Sequence, residues 1–82
     1  MEAKTPLARR ITLHWGLSPR LANLLAELLT EDAVPNTYES KPRDAIWRLR
    51  TKMPDLDIRN QRLFGWYLTP AEKKRVLEKL NG

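Results

Sequence analysis

The sequence predicts an α+β domain, and three features carry the prediction: amphipathic helices opened by proline, one strand-turn-strand pattern, and a length of 82 residues. A chain of this size buries roughly 60% of its unfolded surface, which allows one modest core. The expected plan is a single domain over residues 1–82, with a flexible tail over residues 1–8 and a helical extension over residues 69–82.

In chain order, Arg10-Ile11-Thr12-Leu13-His14-Trp15 alternates polar and apolar residues, which predicts a short strand with Ile11, Leu13 and Trp15 on one face. Gly16 ends it. Ser18-Pro19 then reads as a helix start, because serine caps free backbone donors and proline at the first helical position has no N–H to leave unpaired. Leu21, Leu24, Leu25, Leu28 and Leu29 recur at three-and-four spacing, so this helix runs from Pro19 to Leu29 or Thr30 with its leucine stripe in the core. Glu31 to Glu39, which contains Pro35 and Asn36, breaks the pattern and reads as a loop.

Ser40-Lys41-Pro42 opens a second helix that runs to Met53 and is stopped by Pro54. Its apolar stripe is Pro42, Ala45, Ile46, Leu49 and Met53. At about 100° per residue the opposite face carries Arg43, Asp44, Trp47, Arg48 and Thr51, with Arg50 and Lys52 flanking the stripe. Ile58 to Leu68 contains two short strand-like runs around a turn, a hairpin. Thr69-Pro70-Ala71-Glu72 has the capping-box pattern, in which the threonine oxygen and the glutamate carboxylate each satisfy the other's backbone donor. The helix that follows, Pro70 to Leu80, turns Val76, Leu77 and Leu80 inward and Lys73, Lys74 and Lys79 outward.

The net charge of +5 favours polyanionic partners, and its placement is uneven. Lys41 to Arg62 carries Lys41, Arg43, Arg48, Arg50, Lys52, Arg59 and Arg62 against Asp44, Asp55 and Asp57, a net +4, whereas Ser18 to Asp32 is net −2. The absence of cysteine removes disulfides, thiolate metal ligands and cysteine nucleophiles together, and His14 cannot build a metal site alone. The expectation is therefore no metal and no cofactor. His14 has no catalytic partner in register, and Glu27, Glu31 and Asp32 pair with no nucleophile, so they read as solvated helix charge and an enzyme is not expected. No apolar run approaches the roughly 20 residues that span a bilayer, and Met1 to Pro6 lacks the apolar segment of a secretion signal; a cytoplasmic location is expected.

The order helix, basic amphipathic helix, basic hairpin is the layout of a winged helix, a helix-turn-helix-like fold. There the helix enters a major groove roughly 12 Å wide and the hairpin touches adjacent backbone or minor groove. The same residues also fit a solvated positive helix that only keeps the protein soluble. Leu17-Ser18-Pro19-Arg20 with Leu24, Leu25 and Leu28, then Ile46 with Leu49-Arg50-Thr51-Lys52-Met53, then Ile58 with Arg62-Leu63-Phe64-Gly65-Trp66-Tyr67-Leu68, follow one another in the chain. In this order they resemble the first core helix, recognition helix and wing of the DNA-binding output domain of OmpR-type response regulators. That family reads Leu-Arg-x-Lys-Leu at the second motif and Arg-Gly-x-Gly-Tyr-x-Leu at the third. The resemblance covers Leu13 to Leu68. The chain departs from the family in having only Glu31 to Ser40 where a full positioning helix stands, and Leu63 where the first wing glycine stands. No phosphoacceptor domain precedes the motif here, so the resemblance implies a small stand-alone regulator of the kind found in phages and mobile elements.

The leading expectation is sequence-specific binding of double-stranded DNA for transcriptional regulation. Arg43, Trp47, Arg48 and Thr51 would face bases, with Lys41, Arg50, Lys52, Arg59 and Arg62 near phosphates. Because a single module contacts only about 600 to 1,000 Å² of surface, a homodimer on a repeated site fits this reading, and the last helix either supplies the subunit contact or packs on its own core. The alternative expectation is a protein-interaction module in which Trp47, Leu63 and Phe64 dock on RNA polymerase or another regulator. Trp47 faces away from the Ile46 and Leu49 stripe, and it either contacts a partner or packs beneath Val34 to Tyr38. Trp15 and Trp66 read as core. RNA is the less favoured nucleic acid, since the chain lacks the paired aromatic strand motifs of common single-strand modules.

Overall fold

The computed structural model describes residues 4–35 and 42–82. Their elements are α1 (Pro6–Trp15), α2 (Pro19–Thr30), α3 (Pro42–Lys52), the hairpin strands β1 (Arg59–Gln61) and β2 (Gly65–Tyr67), and α4 (Pro70–Asn81). The protein is thus a small α+β domain with four helices and one antiparallel hairpin among the described residues.

Helix α2 is the centre. Ser18 caps it, its hydroxyl accepting from the Leu21 N–H at 3.4 Å, and Pro19 occupies the first turn as the sequence implies. Burial exceeds one stripe: Leu21, Ala22, Leu24, Leu25, Ala26, Leu28 and Leu29 are all buried, because α1, α3 and α4 pack around this one helix. No helix among the described residues is long and apolar enough to cross a membrane.

The expected strand at Arg10 to Trp15 is a helix. Thr5 caps α1, accepting from the Ala8 N–H at 3.1 Å, Pro6 follows it, and Gly16 ends the helix at φ 67° with its N–H on the Thr12 carbonyl. The face that matters is Leu7, Ala8, Ile11 and Trp15, whose spacing of one, four and eight residues is helical. Leu13, expected inside, lies about 200° from Ile11 and is 86% exposed. Within the stretch expected as a tail, residues 1–8, Pro6 to Ala8 form the first turn of α1, Ala8 is fully buried, and the Lys4 N–H donates to Asn23 Oδ1 at 2.8 Å, while residues 1–3 lie outside the described residues.

Helix α3 buries Ala45, Ile46 and Leu49 against α2, with Met53 half-buried at its end. The Ser40 start signal and Lys41 fall outside the described residues, as does the side chain of Pro42. In the hairpin, Arg59 pairs with Tyr67, Asn60 with Trp66 and Gln61 with Gly65. Val34 adds an antiparallel bridge on the other side of Trp66, exchanging N–H to carbonyl bonds of 2.7 and 2.9 Å. The order across this small sheet is therefore Val34, β2, β1, which joins the segment after α2 to the hairpin.

Helix α4 packs back on the core through Val76 and Leu80, with Leu77 partly buried. Thr69 caps it, accepting from the Glu72 N–H at 3.2 Å, but the reciprocal half of the capping box is replaced. The buried Glu72 carboxylate instead accepts the Asp57 N–H at 2.6 Å and two guanidinium bonds from Arg75, from Nε and Nη2, and Nη2 also donates to the Asp55 carbonyl at 3.0 Å. These bonds tie the α3–β1 connection to α4.

Arg75 first, and then the Asp57 N–H, hold the Glu72 carboxyl below its ordinary range, against the opposing effect of burial. A carboxyl lowered on folding stabilises the fold above its unfolded pKa of about 4.3 and ceases to do so as pH falls through the lowered folded value. Glu72→Gln is accordingly expected to lose about 1–3 kcal/mol at pH 7, the range for disturbing a buried hydrogen-bonded group. Urea unfolding of both proteins at pH 7, 5 and 3 checks this. The gap between them should narrow at the acid end.

Candidate nucleic-acid interface

Burying Ile46 and Leu49 turns the opposite side of α3 outward, and Arg43, Trp47, Arg48 and Thr51 are all exposed there. Trp47 is 68% exposed, so among the described residues no cover lies over the indole. Thr51 donates its hydroxyl proton to the Trp47 carbonyl at 3.0 Å, which leaves its methyl group and oxygen lone pairs to face outward.

A cleft of about 380 Å³ runs between α3 and the start of α2. Trp47, Arg48, Thr51 and Lys52 line one wall, and Ser18 and Arg20 line the other. Arg20 is the residue that sequence reasoning missed as a possible contact. It sits in a segment of net negative charge, and only the packing of α2 against α3 sets it beside Arg48 and Lys52. Among the described residues, none of Arg20, Arg43, Arg48, Lys52 and Arg62 is engaged in an ion pair.

The hairpin flanks the other side of α3, and Arg50 joins the two. Its guanidinium donates to the Ile58 carbonyl and lies over the Trp66 ring, 5.5 Å from the centroid. Arg50 thus braces the hairpin against the helix while staying exposed, and its guanidinium keeps donors for another acceptor. Arg59 pairs with Asp57 at 3.1 Å, with both side chains more than half exposed, and this bond raises its already high pKa. A pair so open to solvent holds the side chain loosely, and the guanidinium keeps donors for another acceptor. Arg62 is exposed in the turn. The structure therefore gathers Trp47, Arg48, Thr51 and Lys52 around one cleft with Arg20, sets Arg43 on the same helix face, and carries Arg59 and Arg62 on the adjoining hairpin. Lys41 lies outside the described residues.

The hairpin turn closes with the Phe64 N–H on the Gln61 carbonyl at 3.0 Å. At its third residue Leu63 adopts φ 74°, a left-handed conformation that suits glycine and disfavours a side chain by roughly 1–2 kcal/mol. The Leu63 side chain stands free of the rest of the chain at 103% relative exposure, and Phe64 beside it is 47% exposed. Leu63→Gly should therefore raise thermal stability slightly, by about 0.5–1 kcal/mol, because relief of the strained φ outweighs the extra freedom that glycine gives the unfolded chain. Thermal melting followed by circular dichroism measures the change. A lowered melting temperature would mean that Leu63 packs on its own domain.

What fold and surface define together is a small α+β domain with a basic helix side and cleft at α3 and a basic hairpin joined to α3 through Arg50. Compared with known proteins, the chain matches no family model, no curated protein and no solved structure.

Proposed function

We propose that this chain binds double-stranded DNA in a sequence-specific manner as a transcriptional regulator of winged-helix type, with α3 in the major groove and the hairpin as its wing. The observation that carries the reading is the division of α3: Ile46 and Leu49 are buried, the arginine-bearing side is open, and Arg50 locks a basic hairpin alongside it. An α-helix fits the major groove, where arginine can donate two bonds to one guanine edge. Arg43 and Arg48 fill that role, and Trp47 and the Thr51 methyl group suit thymine methyls and sugars. Arg20 and Lys52 at the cleft, with Arg59 and Arg62 on the wing, meet phosphates and fix the register of the helix. The resemblance to the OmpR-type output domain points the same way. In the described residues of the segment after α2, the chain forms the Val34 bridge, and α3 packs against α2.

A domain with one such face gains specificity by pairing on a repeated site. The apolar side of α4 is covered by its own core, so a homodimer would use another surface. The second reading, docking on RNA polymerase or another regulator, is favoured by the exposure of Trp47, Leu63 and Phe64.

The test is selection of duplexes from a random pool by the protein alone, followed by gel shift of the recovered sequence against competitor DNA. Retention of one sequence, with an affinity that falls steeply with salt as phosphate contacts release counterions, supports DNA binding. Failure to retain any duplex hands the surface to a protein partner. Within the basic face, Arg62→Ala should weaken recovered and unrelated duplexes alike and lower the salt slope by about one contact.

A further inference from the structure

Strand β1 and the turn form an unbroken run of six exposed residues, Arg59 to Phe64. In order they offer a guanidinium, two carboxamides, a second guanidinium, and then two apolar side chains at the tip, and no acidic residue occurs between Ile58 and Leu68. Leu63 is fully exposed in a turn conformation that glycine would adopt more easily, so neither the turn nor the core explains a leucine there. Behind it the Phe64 ring meets the Tyr67 ring edge-on at 6.0 Å, which stiffens the base of the tip. Arginine with asparagine and glutamine is the set of side chains that lines a minor groove, and an inserted leucine or phenylalanine is the wedge that unstacks a base step there.

We propose that the wing tip is a minor-groove wedge: Leu63, backed by Phe64, inserts at a base step of the bound duplex while Arg59, Asn60, Gln61 and Arg62 line the groove. The proposal rests on the DNA-binding reading and adds how the wing engages the duplex. A minor groove roughly 6 Å wide admits a hairpin tip, and its negative potential draws the two arginines. Cations and carboxamides around an apolar point complement a polyanion, and the one carboxylate paired with them among the described residues, Asp57, sits on Arg59 at the start of β1, four residues before the tip pair begins at Leu63. The centre of a protein-docking patch is instead depleted in charge. Insertion opens the step and bends the helix axis away from the wing, so the recovered sites should carry a flexible pyrimidine–purine step at the wing position.

The experiment uses the duplex recovered by selection, end-labelled for energy transfer to report bending and carrying 2-aminopurine at the wing step to report unstacking. The parent protein should shorten the end-to-end distance and raise the 2-aminopurine signal. Leu63→Gly, which keeps the turn, should bind about tenfold more weakly, leave the duplex straight and retain the parent salt slope, and Leu63→Met should restore the bend. A parent complex with a straight, fully stacked duplex overturns the wedge, as does Leu63→Gly acting like the parent; in either case the tip becomes the candidate for a protein contact. If the parent retains no duplex over competitor, the DNA-binding reading itself fails and the wedge falls with it, an outcome separable from the other two.

Discussion

Gly65→Ala is expected to lower the stability of the protein by roughly 2–6 kcal/mol, combining about 1–3 for backbone strain with about 1–3 for overpacking. Gly65 has φ 118°, and a Cβ there would sit 2.3 Å from the Val34 carbonyl oxygen and 3.1 Å from Pro35 Cα. Both neighbours are backbone, held by the two hydrogen bonds between Val34 and Trp66, and neither can swing aside as a side chain tip would. The clash would separate Val34 from β2 and loosen the hairpin that carries Arg59 and Arg62. A domain of this length has only about 4–12 kcal/mol in total, and each kcal/mol is worth about 4–8 °C, so a fall of at least about 8 °C in Tm is expected. Gly16 is the internal control. It also has positive φ, but among the described residues beyond its chain neighbours no atom lies within 4 Å of its would-be Cβ, so Gly16→Ala should cost only the conformational strain, about 1–2 kcal/mol. Thermal and urea unfolding of the two variants should rank them in that order, and equal losses would mean that Val34 does not approach the hairpin this closely.

The other large effect is expected in α3. Leu49 is fully buried and Ile46 is 1% exposed, so replacing either by Ala should cost roughly 2–5 kcal/mol through lost apolar contact and the cavity left behind. Both face α2, the helix on which the remaining helices pack, and this leaves little room for the site to collapse. Trp47→Ala removes a larger side chain one position along, yet should change stability by less than about 0.5 kcal/mol because its ring is mostly in solvent. The pair therefore separates fold from function on one helix: urea unfolding should respond to Leu49 and DNA affinity to Trp47. Little loss of stability in Leu49→Ala, or a large loss in Trp47→Ala, would show that the buried and open faces of α3 are reversed.

The helices opened by Ser18-Pro19 and Thr69-Pro70 were legible because cap, proline and leucine spacing agree there across several turns. Alpha1 was not, for a physical reason. Over six residues a period of two and a period near four can select the same side chains, and Ile11 and Trp15 belong to both patterns. The deciding signals lay upstream, in Thr5-Pro6 as cap and first turn and in Leu7 and Ala8 as the start of the stripe, within the stretch read as a tail. At the candidate site, exposure on α3 followed from helical angle alone. Contacts across the fold did not: the bracing bond of Arg50 depends on where Ile58 and Trp66 arrive, and Arg20 comes beside Arg48 and Lys52 only through the packing of α2 against α3. Glu72 shows the same limit, since a capping-box pattern names the residue but not the more distant Asp57 N–H that captures its carboxylate.

The central claim is that α3 reads bases while the wing and cleft hold the backbone, and Arg48→Ala tests it most directly. The measurement is affinity of the parent and the folded variant for the selected duplex and a scrambled one, across several salt concentrations. The account predicts that Arg48→Ala reduces the preference for the selected duplex by about 1–3 kcal/mol, as loss of a bidentate base contact does, while binding to scrambled DNA is little changed. An Arg48→Ala protein that binds and discriminates like the parent, or a parent with no preference between the two duplexes, would contradict it.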